Sequence, residues 1–420
     1  MIQLESLQQM DLEDPLRSFR TEFHHIPNEI YFDGNSLGKM PKVVIHQLKE
    51  TVETQWGKQL IRSWNENWLD LPGKLSKKYA QFLNAKKTEI IFGESTSVRL
   101  YQIVSALLNS GYYPPHLITD NLNFPTDSYI LHGLAKNTEA TTFTRLKYSQ
   151  EVSAELDKLK ALIKEKPGII CLSLVTYKSA YFYPMKELNQ WAEAHNSIII
   201  WDLSHAVGAV PIDFKESGTK VAIGCTYKYM NGGPGAPAFL YLNHAMSSLL
   251  ENPIQGWFGH LNPFNFEADY TPADGLERFQ NGTPPILSLQ ALEAGIDISL
   301  NAGISPIRAK SVKMTNLIRA AVQTELKPFG YVLFSPQESH YSGSHIALLH
   351  PSAWPITQAL TAGSKSFPKI IPDFRPPNII RIGIAPLYTQ YEAIWWLIQR
   401  LKDLGNTKGP VKEKPINRVP

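Results

Sequence analysis

Between about residues 85 and 245, short apolar runs alternate with longer stretches of helical periodicity. The apolar runs that predict buried strands are Ile90–Phe92, His116–Thr119, Gly168–Ser173, Ser197–Trp201 and Val221–Cys225. The amphipathic stretches that predict helices are Ser97–Leu108, a stretch from Asp127 onwards, and Met185–His195. Alternation of this kind is typical of βαβ units, so we expect a large domain with a mainly parallel sheet flanked by helices.

After Pro284 the pattern changes. Two long helical patterns, Ile286–Leu300 and Ser305–Leu326, lead into strand-like runs and a final helix at Tyr391–Leu404; the runs are Tyr331–Phe334, His345–Leu348 and Ile379–Ile382. This order of elements predicts a smaller α+β domain. We expect an N-terminal arm and part of the small domain at 1–60, and the large domain at 61–285. A linker helix and the C-terminal small domain follow at 286–405, and a polar, proline-bearing flexible tail at 406–420.

Composition narrows the class of protein. The 420 residues are 43% hydrophobic and 19% charged, as in ordinary globular proteins, and 41 basic against 38 acidic residues give a net charge of +3. A charge so near balance argues against a nucleic-acid partner. Residues 1–20 lack the apolar core of a signal peptide, and no apolar run approaches the ~18 residues of a membrane helix.

Only two cysteines occur, Cys171 and Cys225, and both lie in strand-like runs. Buried thiols in a reducing, cytoplasmic setting are the favoured interpretation, with a redox pair as the alternative. The histidines include no HExxH pattern, so we expect no metal site.

The candidate chemistry lies at the ends of two predicted strands. Asp202 ends the run Ser197–Trp201, and the run Val221–Cys225 leads to Lys228. The carboxyl ends of parallel strands meet at the edge where open α/β sheets bind ligands. A lysine that can form a Schiff base, beside an aspartate that can keep a pyridine nitrogen protonated, is the pair that pyridoxal phosphate requires.

Each of these residues has a simpler interpretation. A strand-end aspartate most often caps a helix or forms a turn, and a lone lysine is most often a solvated surface charge. The two together favour a cofactor site, since Gly232, Gly233 and Gly235 follow the lysine and allow backbone to approach a bound group. A dinucleotide-binding enzyme is less favoured, because no G-x-G-x-x-G follows an early strand.

Nine segments carry a family resemblance that extends from residue 31 to 388. They are YFDGNSLG at 31–38, ESTSV at 94–98, NFPTD at 123–127, residues 202–208, YKY at 227–229, GWFGH at 256–260, GTPP at 282–285, Arg381, and APLY at 385–388. In these segments the chain resembles the kynureninase family, which are fold-type-I pyridoxal-phosphate enzymes of the aspartate aminotransferase superfamily. The resemblance implies pyridoxal 5′-phosphate as cofactor.

The resemblance also implies roles for individual residues. Lys228, Asp202 and Tyr227 would be catalytic: Lys228 binds the cofactor covalently, Asp202 pairs with its pyridine nitrogen, and the Tyr227 hydroxyl lies near its phosphate and relays protons. Phe124 would stack on the cofactor ring. The other implied cofactor contacts are Thr96, Ser97, Pro125, Thr126, Asp127, Ser173, His205, Trp257 and Thr283. In this superfamily the residues at Trp257 and Thr283 reach the cofactor from the other subunit, which implies a homodimer.

The substrate site follows from the same resemblance. Arg381 would bind the substrate's α-carboxylate through two parallel hydrogen bonds from its guanidinium. Arg375 is the alternative for this role, but a structural role is the favoured interpretation for it. Asn35 and Ser36 would also contact substrate. Trp64, Gly282 and Thr283 would meet the aryl ring as in bacterial members, which favours L-kynurenine over its 3-hydroxy derivative.

The implied activity is hydrolysis of L-kynurenine, or of a ring-substituted kynurenine, to anthranilate and L-alanine. The pathway would be tryptophan catabolism or a related biosynthesis. Alternatives are another fold-type-I activity, such as a cysteine desulfurase or aminotransferase, and a catalytically silent protein that only binds the cofactor. A desulfurase needs a mobile cysteine in a late loop, and residues 336–343 contain none.

Overall fold

The five apolar runs predicted as strands between residues 85 and 245 all belong to one seven-stranded sheet, which also contains two strands that were not predicted, Thr142–Leu146 and Phe239–Leu242. The structure, a computed structural model, describes residues 2–405, so the predicted tail at 406–420 lies outside the described residues. The strands of all sheets in these residues, in chain order, are β1 (Glu29–Tyr31), β2 (Ile90–Phe92), β3 (His116–Asp120), β4 (Thr142–Leu146), β5 (Ile169–Ser173), β6 (Ile198–Asp202), β7 (Val221–Gly224), β8 (Phe239–Leu242), β9 (Val332–Leu333), β10 (His345–Leu349), β11 (Lys369–Ile371), β12 (Asp373–Arg375) and β13 (Ile379–Gly383).

Thirteen α-helices of residues 2–405 cover this sheet or pack in the C-terminal part of the chain. The α-helices are α1 (Leu4–Leu12), α2 (Val43–Glu50), α3 (Leu71–Leu83), α4 (Thr96–Ser110), α5 (Pro125–Asn137), α6 (Leu156–Glu165), α7 (Met185–Ala194), α8 (Phe214–Ser217), α9 (His244–Ser247), α10 (Ile286–Ala302), α11 (Ile304–Ala321), α12 (Ala353–Ala362) and α13 (Glu392–Gly405). Between α2 and α3 the chain continues through two π-helical segments, Thr51–Gln59 and Trp64–Trp68.

The large sheet has the order β2-β8-β7-β6-β5-β3-β4. Strands β3 to β7 are parallel, whereas β8 runs antiparallel to both β7 and β2. Successive residues of β5 enter two different hydrophobic clusters: Ile170 and Leu172 belong to one, Ile169 and Cys171 to the other. Because neighbouring side chains of a strand point to opposite faces, the sheet is buried on both sides. The predicted fold class is confirmed.

A second, antiparallel sheet of order β12-β13-β10-β9 packs against α11, α12 and α13 in its own hydrophobic cluster. The N-terminal segment joins these C-terminal elements, since β1 pairs in parallel with β11, and Asp33 forms a bridge to Gly383. Residues near position 35 therefore lie beside residues near position 381. This pairing brings the N-terminal segment to the carboxyl edge of the large sheet.

Candidate active site

Asp202 and Lys228 share one cavity, as the strand-end argument predicts. Asp202 is the last residue of β6, and Lys228 follows shortly after β7, which pairs with β6 in parallel. Both residues line a cavity of about 550 Å³. The carboxyl edge of the parallel strands therefore carries the candidate site.

Hydrogen bonds fix the orientation of the Asp202 carboxylate. Its Oδ1 accepts from the backbone N–H of Ser204 at 2.9 Å and from the Ser204 hydroxyl at 2.6 Å. Its Oδ2 accepts from the Ser173 hydroxyl at 3.5 Å, and Ser173 is the direct register partner of Asp202 across β5 and β6. The buried carboxylate is thus held by its own turn and by the neighbouring strand.

The Lys228 amine lies next to the His205 imidazole and two aromatic rings. Its Nζ is 3.4 Å from both ring nitrogens of His205, 6.0 Å from the ring centroid of Phe124 and 5.7 Å from that of Tyr227. Burial, followed by the positive charges of Lys228 and Arg381, holds the pKa of His205 well below its usual value. A neutral imidazole beside the amine adds no repulsion.

A helix N-terminus forms another part of the cavity wall. Helix α4 begins at Thr96, and its N-cap Ser95 accepts a hydrogen bond from the Val98 N–H at 3.3 Å. Thr96 and Ser97 both line the cavity. The first N–H groups of a helix and the positive end of its dipole favour an anion, so this part of the wall suits a phosphate.

The loop before α5 supplies the third part of the wall. Phe124 is the N-cap of α5 and is 40% exposed, Pro125 opens the helix, and Thr126 and Asp127 line the cavity. Burial, followed by the negative charge of Asp202, raises the pKa of Asp127 well above its usual value. Two carboxyl groups in one cavity disfavour each other's charge, so Asp127 is suited to hold a proton.

Asn123 ties this loop to the central strands. Its Nδ2 donates to Asp127 Oδ2 at 3.3 Å and to the Cys171 carbonyl at 3.0 Å, while its Oδ1 accepts from the Ser173 N–H at 2.5 Å. One buried amide thereby positions two residues that flank Asp202.

Arg381 is fully buried, and neighbouring groups occupy its guanidinium. Its Nε is hydrogen bonded to Asp373, its Nη1 to the Tyr177 carbonyl, and its Nη2 donates to the Ser36 hydroxyl at 3.2 Å. The rival Arg375 also lies beside Asp373, with its Nε 3.0 Å from the carboxylate. Asp373 therefore holds both arginines.

Tyr177 connects Arg381 to the cavity. Its carbonyl accepts from Arg381, and its ring packs edge-on against Phe124 with centroids 5.3 Å apart. Arg381 itself is not part of the cavity wall. Tyr177 thus lies between Arg381, which is predicted to bind the carboxylate, and Phe124, which is predicted to stack on the cofactor.

The N-terminal segment packs against the lysine segment so closely that only glycine fits. The Gly38 N–H donates to the Tyr227 carbonyl at 2.8 Å, and a Cβ at Gly38 would lie 2.2 Å from the Lys228 carbonyl oxygen. At the other end of this segment, Asn35 is fully buried, and a Cβ at Gly383 would lie 1.9 Å from its Oδ1. The glycines at 38 and 383 are thus required by close packing.

The residues predicted for the aryl ring lie on two adjoining cavities. Gly282 and Thr283 line the cavity of Lys228, whereas Trp64 lines a second, apolar cavity of about 410 Å³. Thr283 and Pro284 belong to both walls, so the two cavities are neighbours. Thr283 therefore already borders the cavity of its own chain, while Trp257 lies off both walls and is 40% exposed.

The structure brings ten of the predicted site residues to one cavity wall: Thr96, Ser97, Phe124, Thr126, Asp127, Asp202, Tyr227, Lys228, Gly282 and Thr283. The others lie behind that wall or away from it: Asn35, Ser36, Trp64, Pro125, Ser173, His205, Trp257 and Arg381. Their positions leave the assigned roles as predictions.

Sequence reasoning gave no role to Asn123, Tyr177 or Asp373. Asn123 lies inside the quoted segment 123–127, so its position next to Asp127 was the available signal. Tyr177 carries no local signal, because its contact is with Arg381, 204 positions away. Asp373 lies only eight positions from Arg381, and it contacts Arg381 because β12 and β13 pair in register.

No group of three or more His, Cys, Asp or Glu side chains among residues 2–405 is arranged to hold a metal ion. Within the same range, no helix combines the length and apolar character that crossing a membrane requires.

Two family models match the chain. The model described as aminotransferase class-V matches residues 30–345, and the kynureninase C-terminal domain matches residues 307–401. Relatives named kynureninase are 35% identical in Pseudomonas fluorescens and 32% identical in Burkholderia mallei (strain ATCC 23344). Each alignment spans 404 residues, which is 95% of this chain and 94% of the relative.

Solved structures share the fold at low identity. An apo cysteine desulfurase from Thermococcus onnurineus NA1 has a TM-score of 0.80 at 17% identity, covering 92% of this chain and 97% of that one. A C-DES mutant with glycine covalently linked to its PLP cofactor has a TM-score of 0.77 at 16% identity, covering 91% and 99%. Identities this low establish the fold alone.

The fold, together with the aminotransferase class-V model that matches residues 30–345, defines the class, which is fold type I of the pyridoxal-phosphate-dependent proteins. Relatives above 30% identity match nearly the whole chain, and the C-terminal family model matches as well. The chain belongs to the kynureninase family, which confirms the resemblance found in the sequence.

The contacts of Asn123 generate a first prediction. We expect Asn123→Ala to weaken binding of pyridoxal phosphate about tenfold, because it leaves a buried N–H and carboxyl group without partners, at ~1–3 kcal/mol each. Fluorescence titration of the apoprotein measures the affinity. Asn121→Ala is the matched control, since Asn121 lies in the same loop but accepts only from the Tyr148 N–H. Equal losses in both variants would show that general loop stability explains the effect.

Proposed function

We propose that the chain is a pyridoxal-phosphate-dependent hydrolase that converts L-kynurenine and water to anthranilate and L-alanine. The observation that carries the proposal is the pairing of Lys228 and Asp202 on one cavity in a chain that matches kynureninases over 95% of its length. Members of a superfamily with this fold catalyse different reactions, so the family match, and not the fold, supports the substrate.

The cavity fits the cofactor by size and by its donor groups. Its volume of about 550 Å³ lies in the usual range of small-molecule sites. Lys228 would attach the cofactor, Asp202 would hold the proton on its pyridine nitrogen, and the N–H groups at Thr96 and Ser97 would bind its phosphate. Phe124 would stack on its ring. When bound, pyridoxal phosphate draws electrons from Cα and Cβ of an attached amino acid.

The chain's residues move the protons and bind the substrate. Lys228 would take the proton from the substrate Cα once its amine is free. Burial and the neighbouring Cys225 raise the pKa of Tyr227, so its hydroxyl stays protonated at neutral pH and can serve as a proton donor. One water would add to the γ-carbonyl, and the Cβ–Cγ bond would then break to release anthranilate. Cβ would take up a proton, and the proton removed from Cα would be replaced, to give L-alanine.

Arg381 would bind the α-carboxylate. Its Nη2 donates to the Ser36 hydroxyl, and a carboxylate oxygen in that place would be a stronger acceptor because it is charged. The Asp373 carboxylate on the Nε side keeps the guanidinium plane in position. Asn35 lies beside this group in the same N-terminal segment.

The site would be completed in a homodimer in the cytoplasm. An exposed aromatic cluster supports this part of the proposal: Trp257, Phe264 and Phe266 are 40%, 50% and 78% exposed, and the Trp257 ring packs on both phenylalanines. Exposed aromatic clusters commonly mark protein interfaces. Trp257 would then reach the cofactor of the partner subunit, as the superfamily pattern implies.

A desulfurase activity is disfavoured by where the thiols lie. Cys171 is buried within β5, Cys225 is buried just after β7, and residues 336–343 contain no cysteine. An aminotransferase and a silent cofactor-binding protein keep the same Lys228 and Asp202. Release of anthranilate in a substrate panel separates all of these from the proposed hydrolase.

We predict that Lys228→Ala abolishes anthranilate release and the borohydride-reducible attachment of the cofactor. Lysine is the only side chain of the wall with an amine that can form this bond. Absorbance spectra and mass spectrometry after reduction provide the measurement. A variant that still carries reducible cofactor would place the attachment on another lysine.

We predict that Arg381→Lys raises the KM for kynurenine about ten- to a hundredfold with little change in cofactor affinity, because lysine keeps the charge but loses the two-pronged geometry. Arg375→Lys is the matched control, since both arginines contact Asp373, and it should change KM by less than about threefold. The reverse result would assign the clamp to Arg375.

We predict a higher kcat/KM for L-kynurenine than for 3-hydroxykynurenine. The second cavity, with Trp64 and Thr283 on its wall, is mainly apolar and gives an added ring hydroxyl few partners. A buried hydroxyl without a partner costs on the order of 1–3 kcal/mol, which is roughly ten- to a hundredfold in specificity. Both values are measured on one enzyme preparation, and equal or reversed values would contradict the prediction.

A further inference from the structure

Arg99 is a fully buried cation without an ionic partner. It lies near the start of α4, the helix whose first residues line the cavity, and its side chain has no exposed surface. No carboxylate among residues 2–405 forms an ion pair with it, in contrast to Arg381, which contacts Asp373. Buried charges in proteins are normally paired or bind an ion.

Every hydrogen-bond acceptor of Arg99 is neutral. Its Nε donates to the Gly93 carbonyl at 3.0 Å, and its Nη1 donates to the Phe279 carbonyl at 2.7 Å and to Gln102 Oε1 at 3.0 Å. Its Nη2 is buried and has no hydrogen-bond partner. The guanidinium is therefore held firmly, while its charge is not neutralised.

The free Nη2 lies directly behind the cavity wall. Gly93 lines the cavity, and a Cβ on Gly93 would lie 2.8 Å from Arg99 Nη2. The same Cβ would lie 3.5 Å from Gln280 Oε1, and Gln280 is also part of the wall. Because Gly93 has no side chain, the Arg99 guanidinium can lie directly against the backbone of the segment 93–97, which lines the cavity.

The charge persists at neutral pH. Burial lowers the pKa of Arg99 to about 10, and the negative charge of Glu94 partly opposes this effect. Keeping a positive charge buried away from water is costly unless an anion lies near it. Among residues 2–405, Glu94 forms no ion pair with Arg99; its Oε1 accepts from Asn281 Nδ2 at 3.1 Å.

We propose that Arg99 is the buried counter-charge of the cofactor's phosphate group. It acts through the wall by long-range attraction and by holding the Gly93 carbonyl, while the N–H groups at Thr96 and Ser97 make the direct contacts. This inference rests on the proposed cofactor, but it does not depend on which amino acid is the substrate. It assigns Arg99 a positioning and electrostatic role and no part in the reaction.

The test compares two ligands that differ only in the phosphate. Arg99→Met and Arg99→Gln keep most of the side-chain volume and remove the charge. Apoprotein of each variant is titrated with pyridoxal 5′-phosphate and with pyridoxal. We expect the affinity for pyridoxal phosphate to fall about ten- to a hundredfold and that for pyridoxal to change by less than about threefold, since only the first ligand is an anion at this end.

Thermal unfolding gives a second readout that does not depend on activity. Arg99→Met removes the hydrogen bonds to Gly93, Gln102 and Phe279, so the Tm of the apoprotein should fall. We also expect a smaller increase in Tm on addition of pyridoxal phosphate, whereas a purely structural arginine would leave that increase unchanged.

Arg319→Gln is the matched control. Arg319 is also buried, has a free Nη2 and forms no ion pair within residues 2–405, but it lies on α11, away from both cavity walls. We expect its substitution to leave the preference for pyridoxal phosphate over pyridoxal unchanged. Arg99→Lys separates the effect of charge from that of hydrogen bonding, because lysine keeps the positive charge but cannot reproduce the hydrogen bonds of the guanidinium.

Three results would overturn the proposal. These are unchanged affinity of Arg99→Met for pyridoxal phosphate, equal losses for both ligands, and a loss in Arg99→Lys as large as in Arg99→Met. If neutral variants do not fold, Arg99→Lys alone decides, because retained preference supports the role of charge and lost preference refutes it. Failure of kynurenine hydrolysis in the wild-type protein would refute the proposed substrate and leave these binding results interpretable.

Discussion

The parallel pairing of β5, β6 and β7 determines where the polar groups of the site lie. Because Ser173 pairs in register with Asp202, and Asp202 with Ile223, the strand ends are aligned within one layer. The residues that follow them share one edge of the sheet, and buried apolar side chains on both faces hold this edge in place. A shift of one residue in the pairing would turn the Asp202 carboxylate to the opposite face, away from Lys228.

A second constraint is the close approach of three backbones. The N-terminal segment lies between two other parts of the chain. On one side Gly38 packs against the backbone of Tyr227 and Lys228, and on the other Asn35 packs against Gly383 at the end of β13. Asp33 is half-buried there, and its partial burial together with the negative charge of Asp373 raises its pKa to about 6. Arg381 and Arg375 lie close enough to oppose that shift. The region thus joins the small antiparallel sheet to the cofactor cavity through charges as well as through packing.

The sequence predicted those parts of the structure that depend on local pattern. Apolar runs gave the central strands, and Asp202 was placed at its strand end because the run stops there. The edge strand Thr142–Leu146 was not predicted, since its residues are only partly buried and show no apolar run. Tyr177 was missed because its contact with Arg381 spans 204 positions, and Asp373 was missed because the pairing of β12 with β13 that places it opposite Arg381 was not predicted. Arg99 was missed because nothing in a sequence shows that a charge lacks a partner.

The hydrogen bond between Ser36 and Arg381 joins residues 345 positions apart. Closing a loop of that length costs conformational entropy before any contact is gained, and such contacts form late in folding. During synthesis, the large sheet has all of its strands once residue 242 is available, whereas Arg381, the proposed carboxylate clamp, lies on β13 at 379–383. Every strand of the central sheet is therefore synthesised well before Arg381, and the contact between Ser36 and Arg381 can only be completed near the end of synthesis.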